Sequence, residues 1–154
     1  RESRQESYPF SASAVTAWGQ VAISAAYALT RRVDSLPGSL ARRRASDLAA
    51  DIGKSFSLPE GWKVKNPLRT RVSWQESLTQ SFVSNALAEG ALSRLTDNGR
   101  RALNLNADTD VAENMTFSLQ ASRVVTFDRN LSRRFVQTVL TAVFQLQFFA
   151  GVNK

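Results

Sequence analysis

The sequence predicts an α+β fold, a mostly antiparallel sheet with a long C-terminal β-hairpin and two amphipathic helices packed on one face. Three observations carry that prediction. Apolar and polar residues alternate through the last third of the chain, two central segments place apolar residues at helical spacing behind good N-caps, and 43% apolar against 21% charged residues over 154 positions suits one domain with its own core.

Residues 1–11 are polar apart from Tyr8 and Pro9-Phe10 and read as an N-terminal arm, leaving 12–154 as a single domain. From Gly19 to Val33, Val21, Ile23, Ala25, Tyr27 and Leu29 alternate with Ala and Ser, a period of two that indicates a strand. Trp18, Val21, Ala25 and Leu29 also satisfy helical spacing, and alanine favours a helix, so both readings stand at residues 14–30. Leu36-Pro37-Gly38 is turn chemistry. Ser39 then caps an expected helix to about Gly53, with Leu40, Ala41, Arg44, Leu48 and Ile52 on one stripe and an Arg43/Asp47 pair outside it.

Trp62 to Val72 reads as extended chain interrupted by Pro67, which confines it to an edge or to two short pieces. Ser73-Trp74-Gln75-Glu76 matches a capping box and opens a second expected helix to about Leu95, its apolar side led by Trp74, Leu78, Phe82 and Leu87. Asp97-Asn98-Gly99 stops it, and a short strand follows at Ala102 to Asn106. In the final hairpin Phe117, Leu119, Ala121, Val125 and Phe127 share a face, as do Val136, Leu140, Phe144, Leu146 and Phe148 after the polar link Asp128-Arg129-Asn130. The expected core joins helix to hairpin: Trp74, Leu78, Phe82, Phe117, Leu119, Phe127, Leu140 and Phe144.

The chain has no histidine and no cysteine, which excludes imidazole bases, thiolate nucleophiles, disulfides and the usual nitrogen and sulfur ligands of zinc. No cofactor is implied, and no spacing among the carboxylates selects a catalytic pair. Gly53-Lys54-Ser55 ends like a phosphate loop, but Leu48 stands where the loop needs its first glycine. Asn104, Asn106, Asp108, Asp110 and Glu113 supply oxygens at alternate positions, yet neither register has the Gly and Glu of a calcium loop.

Lys and Arg number 20 against 13 Asp and Glu, and residues 1–72 hold 12 of the cations with 6 of the acids. Sixteen of the twenty cations are arginine, which suits bidentate contact with carboxylate or phosphate. A basic patch is expected from Arg42, Arg43, Lys63, Lys65, Arg69 and Arg71, the last four sharing parity on an extended segment between Trp62 and Trp74. That patch suits RNA or DNA, and equally a cationic edge that blocks strand pairing. The uncharged runs Tyr8–Thr30 and Phe135–Val152 are too diluted by polar residues for a bilayer helix, so no transmembrane span is expected.

The order of a tryptophan-led helix, a short strand and a long hairpin over about Arg71 to Gln147 is similar to periplasmic accessory domains of bacterial envelope machines, such as auxiliary lipoproteins of lipid-transporting ABC systems. The Arg-rich segment Ser39 to Gly53 and the missing lipid-anchoring cysteine depart from that pattern.

The leading expectation is a non-enzymatic structural or assembly component acting through protein interfaces, a homo-oligomer or part of a larger complex, in the cell envelope rather than the cytoplasm. The alternative is a nucleic-acid-binding module using the basic first half. The final strand directs the first reading: between Arg134 and Lys154 it has no charge, and Gln137, Val139, Val143, Gln145 and Gln147 on its second face are the expected subunit contact.

Overall fold

Every described residue in regular structure lies in one antiparallel sheet. The structure, a computed structural model, describes residues 2–16, 21–59, 66–85, 92–112 and 115–146. In chain order the strands are β1 Glu2–Thr16, β2 Val21–Leu36, β3 Ser39–Phe56, β4 Leu68–Asn85, β5 Ser93–Ala112, β6 Met115–Asp128 and β7 Arg133–Leu146. Each pairs only with its neighbours in sequence, so spatial order equals chain order and β1 and β7 form the two edges. At 14 to 20 residues these strands are roughly two and a half to three and a half times the length usual in globular sheets, where about 5–6 is typical.

The α+β expectation is therefore overturned, since no helix exists among the described residues. Both predicted helices are strands. The segment from Ser39 to Gly53 lies within β3, and the capping-box segment from Ser73 forms most of β4, with residues 86–91 outside the described chain. Leu48 and Ile52, or Trp74, Leu78 and Phe82, lie four apart, and residues four apart share a face in a strand as well as in a helix. The capping residues also have cross-strand partners: Ser73 Oγ accepts from Asn104 Nδ2 at 3.3 Å, and Glu76 accepts from Arg101 Nε at 2.9 Å. The resemblance to periplasmic accessory domains loses its leading element with that helix.

Residues 2–11, read as an arm, are the first part of β1 and pair in register with β2 from Glu2↔Ser35 to Thr16↔Val21. β2 takes the strand alternative of the two readings at its start. Pro37-Gly38 makes a two-residue turn, and Gly38 sits at φ 80°, the left-handed geometry that glycine supplies without steric cost. Leu68 starts β4 directly after Pro67, so the proline stands outside the ladder. The C-terminal hairpin forms as expected, with Phe117 opposite Phe144, Ala121 opposite Leu140 and Val125 opposite Val136. Its turn is held by Asp128, whose Oδ1 accepts the backbone N–H groups of Asn130 and Leu131 at 2.9 and 3.0 Å.

Among the described residues there is no conventional core. Among the described residues Ala102 is the one buried hydrophobic side chain, whereas Trp74 is 37% exposed, Phe144 63% and Leu140 71%. The eight residues expected to form the core do share one face of the sheet, but nothing in the described chain lies over it.

Candidate functional site

The candidate surface is the sheet's pair of faces, and the register sorts the paired strand residues onto one or the other. One row running across all seven strands reads Ala14, Ile23, Ile52, Val72, Leu105, Ala121 and Leu140, apolar throughout. The next row toward the strand ends on the other side of the band, Ala12, Ala25, Ala50, Trp74, Leu103, Arg123 and Thr138, stays apolar only as far as β5. The opposite face is small and polar, as in the row Ser13, Ser24, Asp51, Ser73, Asn104, Ser122 and Val139. Large residues on one face and Ser or Ala on the other favour curvature toward the small face. Two open concavities of about 520 and 540 Å³ lie largely on that side, lined by residues such as Ser11, Ala26 and Ala49.

The apolar band is oblique to the rows. On β1 and β2 the nearest charge below it is Glu6 and Arg31, which face each other; on β4 and β5 it is Glu76 and Arg101, two same-face rows higher; on β6 it is Arg123, one row higher again. In residues, the boundary climbs six from β1 to β6, about one per strand, while on β7 the nearest charge, Arg134, lies two same-face rows below Arg123. The upper limit moves the same way: Lys54 closes the band on β3 in the row of Thr16, while β6 and β7 carry it on to Met115 and Leu146. The amphipathic aromatics follow the lower boundary, Tyr8 on β1, Tyr27 on β2 and Trp74 on β4, each one row above the last.

Charge is concentrated along that same boundary. Arg31 and Arg44 face each other beneath the band, and Arg101, Arg123, Arg129 and Arg134 surround Phe127 and Trp74. Phe127 is flanked by two guanidinium groups, Arg101 at 5.4 Å and Arg129 at 5.3 Å from the ring centre. Asp97, completely buried, accepts from Arg94 at 2.9 Å and from Gln80 at 3.4 Å, and lies 3.7 Å from Arg129.

The residues singled out by sequence are divided between these surfaces. Arg42 lies on the apolar face and Arg43 on the polar one, as consecutive strand residues must. Arg69 and Arg71 are on the polar face, paired with Asp108 at 3.8 Å and with Asp51, whose carboxylate also takes the Ser24 hydroxyl. Trp74 is on the opposite face from them, so that tryptophan and those cations cannot grip one strand of nucleic acid together. Lys63, Lys65 and Trp62 lie outside the described residues, as does Gln147. Gln137, Val139, Val143 and Gln145 are exposed together on the polar face of the edge strand β7.

The motif fragments are built into strands. Gly53, Lys54 and Ser55 are extended, with Lys54 lying 4.8 Å over the Phe56 ring. Asn104, Asn106, Asp108 and Asp110 run along β5, where alternate residues are about 7 Å apart and cannot encircle one ion. Among the described residues no group of three or more acidic side chains could hold a metal.

No described helix is long and apolar enough to cross a membrane, a finding that concerns helices and leaves strands open. Comparison of the chain with protein-family models, curated proteins and solved structures finds no match.

Proposed function

We propose that this chain forms part of the wall of a transmembrane β-barrel, a non-enzymatic structural component that assembles by strand pairing at β1 and β7. The drift of the apolar band carries the reading. A climb of one residue per strand is about 3.3 Å for every 4.8 Å across the sheet, an angle of about 35°. Strands of membrane barrels tilt by about 35–45°, and a level band of lipid crosses tilted strands at that angle. On β1 and β2 the band spans nine residues, Tyr8 to Thr16 and Val21 to Leu29, or about 22 Å after correction for tilt, close to the ~25 Å band of such barrels. Water-soluble sheets with a bare face of this size would aggregate.

The polar face is then the lumen, and its Ser, Thr, Asn and Gln residues are what a water-filled interior takes. Seven antiparallel strands leave β1 and β7 running in the same direction, so the sheet cannot close antiparallel on itself. Closure needs an odd number of further strands, or a second copy joined β1 to β1 and β7 to β7. Either route makes the edges the assembly interface.

The native absence of cysteine allows a clean test. Single cysteines at 117 to 122 are spin-labelled in the protein reconstituted in bilayers. Labels at Phe117, Leu119 and Ala121 should be accessible to oxygen, and those at Ser118, Gln120 and Ser122 to a water-soluble nickel chelate. Failure to co-float with vesicles, or an absence of alternation, rejects the wall.

A further inference from the structure

Resting on that reading, we infer that the arginine cluster on the lipid-facing side of β5 to β7 binds the phosphates of an anionic lipid headgroup. The site is an open concavity of about 500 Å³ lined by Trp74, Arg101, Arg123, Phe127, Arg129 and Arg134. Two of its four arginines are already engaged. Arg101 pairs with Glu76 at 2.9 Å, and Arg129 lies near the buried Asp97. The guanidinium groups of Arg123 and Arg134 make no hydrogen bond or ion pair with any described residue.

Their position makes that lack of a partner informative. Arg123 projects from a row whose β5 member is Leu103, and Arg134 stands opposite Phe127, so both guanidinium groups start on the apolar face, Arg123 at the lower limit of the band on β6 and Arg134, two same-face rows lower, at that on β7. A long side chain there can run along apolar surface and deliver its charge at headgroup level. What waits at that depth on a lipid-facing wall is phosphate, the anion that the guanidinium fork binds in bidentate fashion. Trp74 beside them is a residue that favours the same interfacial depth. Four guanidinium groups against Glu76 and Asp97, with Asp97 also held by Arg94, leave at least two positive charges uncompensated. That charge matches a headgroup carrying two phosphates better than a zwitterionic one.

The test uses the assembled protein in detergent and native mass spectrometry, with cardiolipin, phosphatidylcholine or inorganic phosphate as the probe. Cardiolipin should be retained about tenfold more tightly than phosphatidylcholine, and Arg123→Gln/Arg134→Gln should abolish most of that preference. Arg69→Gln/Arg71→Gln removes the same charge from the polar face and should leave it unchanged. Arg123→Lys/Arg134→Lys, which preserves charge and solubility, should give an intermediate loss because lysine lacks the fork. Equal retention of the two lipids, equal losses from the two Gln pairs, or complete displacement of cardiolipin by inorganic phosphate would each overturn the proposal. A protein that shows the alternating spin-label pattern yet lacks the preference fails here alone, whereas one that never enters bilayers fails at the barrel wall.

Discussion

Phe127 lies across Gly99 on the neighbouring strand so closely that a Cβ at position 99 would stand 2.6 Å from the ring's Cζ and 2.7 Å from the carbonyl oxygen of Ser77. The glycine is a seat for the aromatic ring, which in turn has the Arg101 and Arg129 guanidinium groups 5.4 and 5.3 Å from its centre. Gly99→Ala must therefore move either the ring or the β4 backbone. A loss of about 1–3 kcal/mol is expected from guanidinium unfolding in vesicles, with Gly99→Val costing more. Phe127→Ala in the Gly99→Ala background should recover part of the loss by removing the ring. Equal stability of Gly99→Ala and the native protein would show that the ring does not need the glycine.

Neighbouring residues on β6 separate the two faces most sharply. Ala121 belongs to the all-apolar row, and Gln120 projects to the opposite side beside Asn106 and Thr141. Ala121→Arg should cost about 2–4 kcal/mol of stability in a bilayer, while Gln120→Arg should cost little. Equal penalties for the two, by unfolding titration in the same vesicles, would remove the distinction between a lipid face and a lumen.

Much of this architecture is legible as periodicity, and the even spacing of the apolar residues is why the sequence suggests helices where strands form. Trp74, Leu78 and Phe82 are four apart, and that spacing is even, so it satisfies a strand face as fully as a helix face. Only odd spacings such as three or seven discriminate, and Trp74, Leu78 and Phe82 offer none among themselves. The capping box had the same double meaning, because Ser73 and Glu76 are both served across the sheet. That Trp74, Leu78 and Phe82 share a face, and Leu140 and Phe144 another, is visible in parity, whereas their union with Phe117 on one exposed surface follows only from the register. The oblique boundary needs the register, since Arg123 and Glu6 are linked only through five successive strand pairings.

Asp97 fastens the β6–β7 turn to the end of β5. Its side chain gathers Arg94, Arg129 and Gln80, and its carbonyl oxygen accepts the Arg129 N–H at 2.8 Å. Asp97→Ala leaves cationic partners facing an empty buried position. Because both arginines are about half exposed and can rehydrate, a loss near 2 kcal/mol is expected, below the range for fully buried pairs. Asp97→Asn should be milder, since it retains an acceptor for Arg94. Hydrogen exchange should show the damage localised at residues 129–132, and uniform destabilisation of all strands would contradict a fastening role.

The edge strand β7 gives the strictest test of assembly. In an antiparallel strand the N–H groups of successive residues point alternately to the two sides, so β6 satisfies only every second amide of β7. An unpaired edge leaves the others to water, and in a lipid wall each would be left without a partner, which costs several kcal/mol. Charge is the usual protection of a free edge, and the sequence of β7 beyond Arg134 has none. Val139 and Val143 point to the polar face, so Val139→Glu/Val143→Glu should be tolerated more readily than a change that blocks the backbone. The decisive measurement is amide hydrogen exchange along Val136 to Gln145 in the assembled protein. Continuous protection is expected, with β6 covering one set of amides and a further antiparallel strand the other. Protection at alternate residues only would mean that β7 is a free edge, and the barrel wall would then have no means of continuing past it.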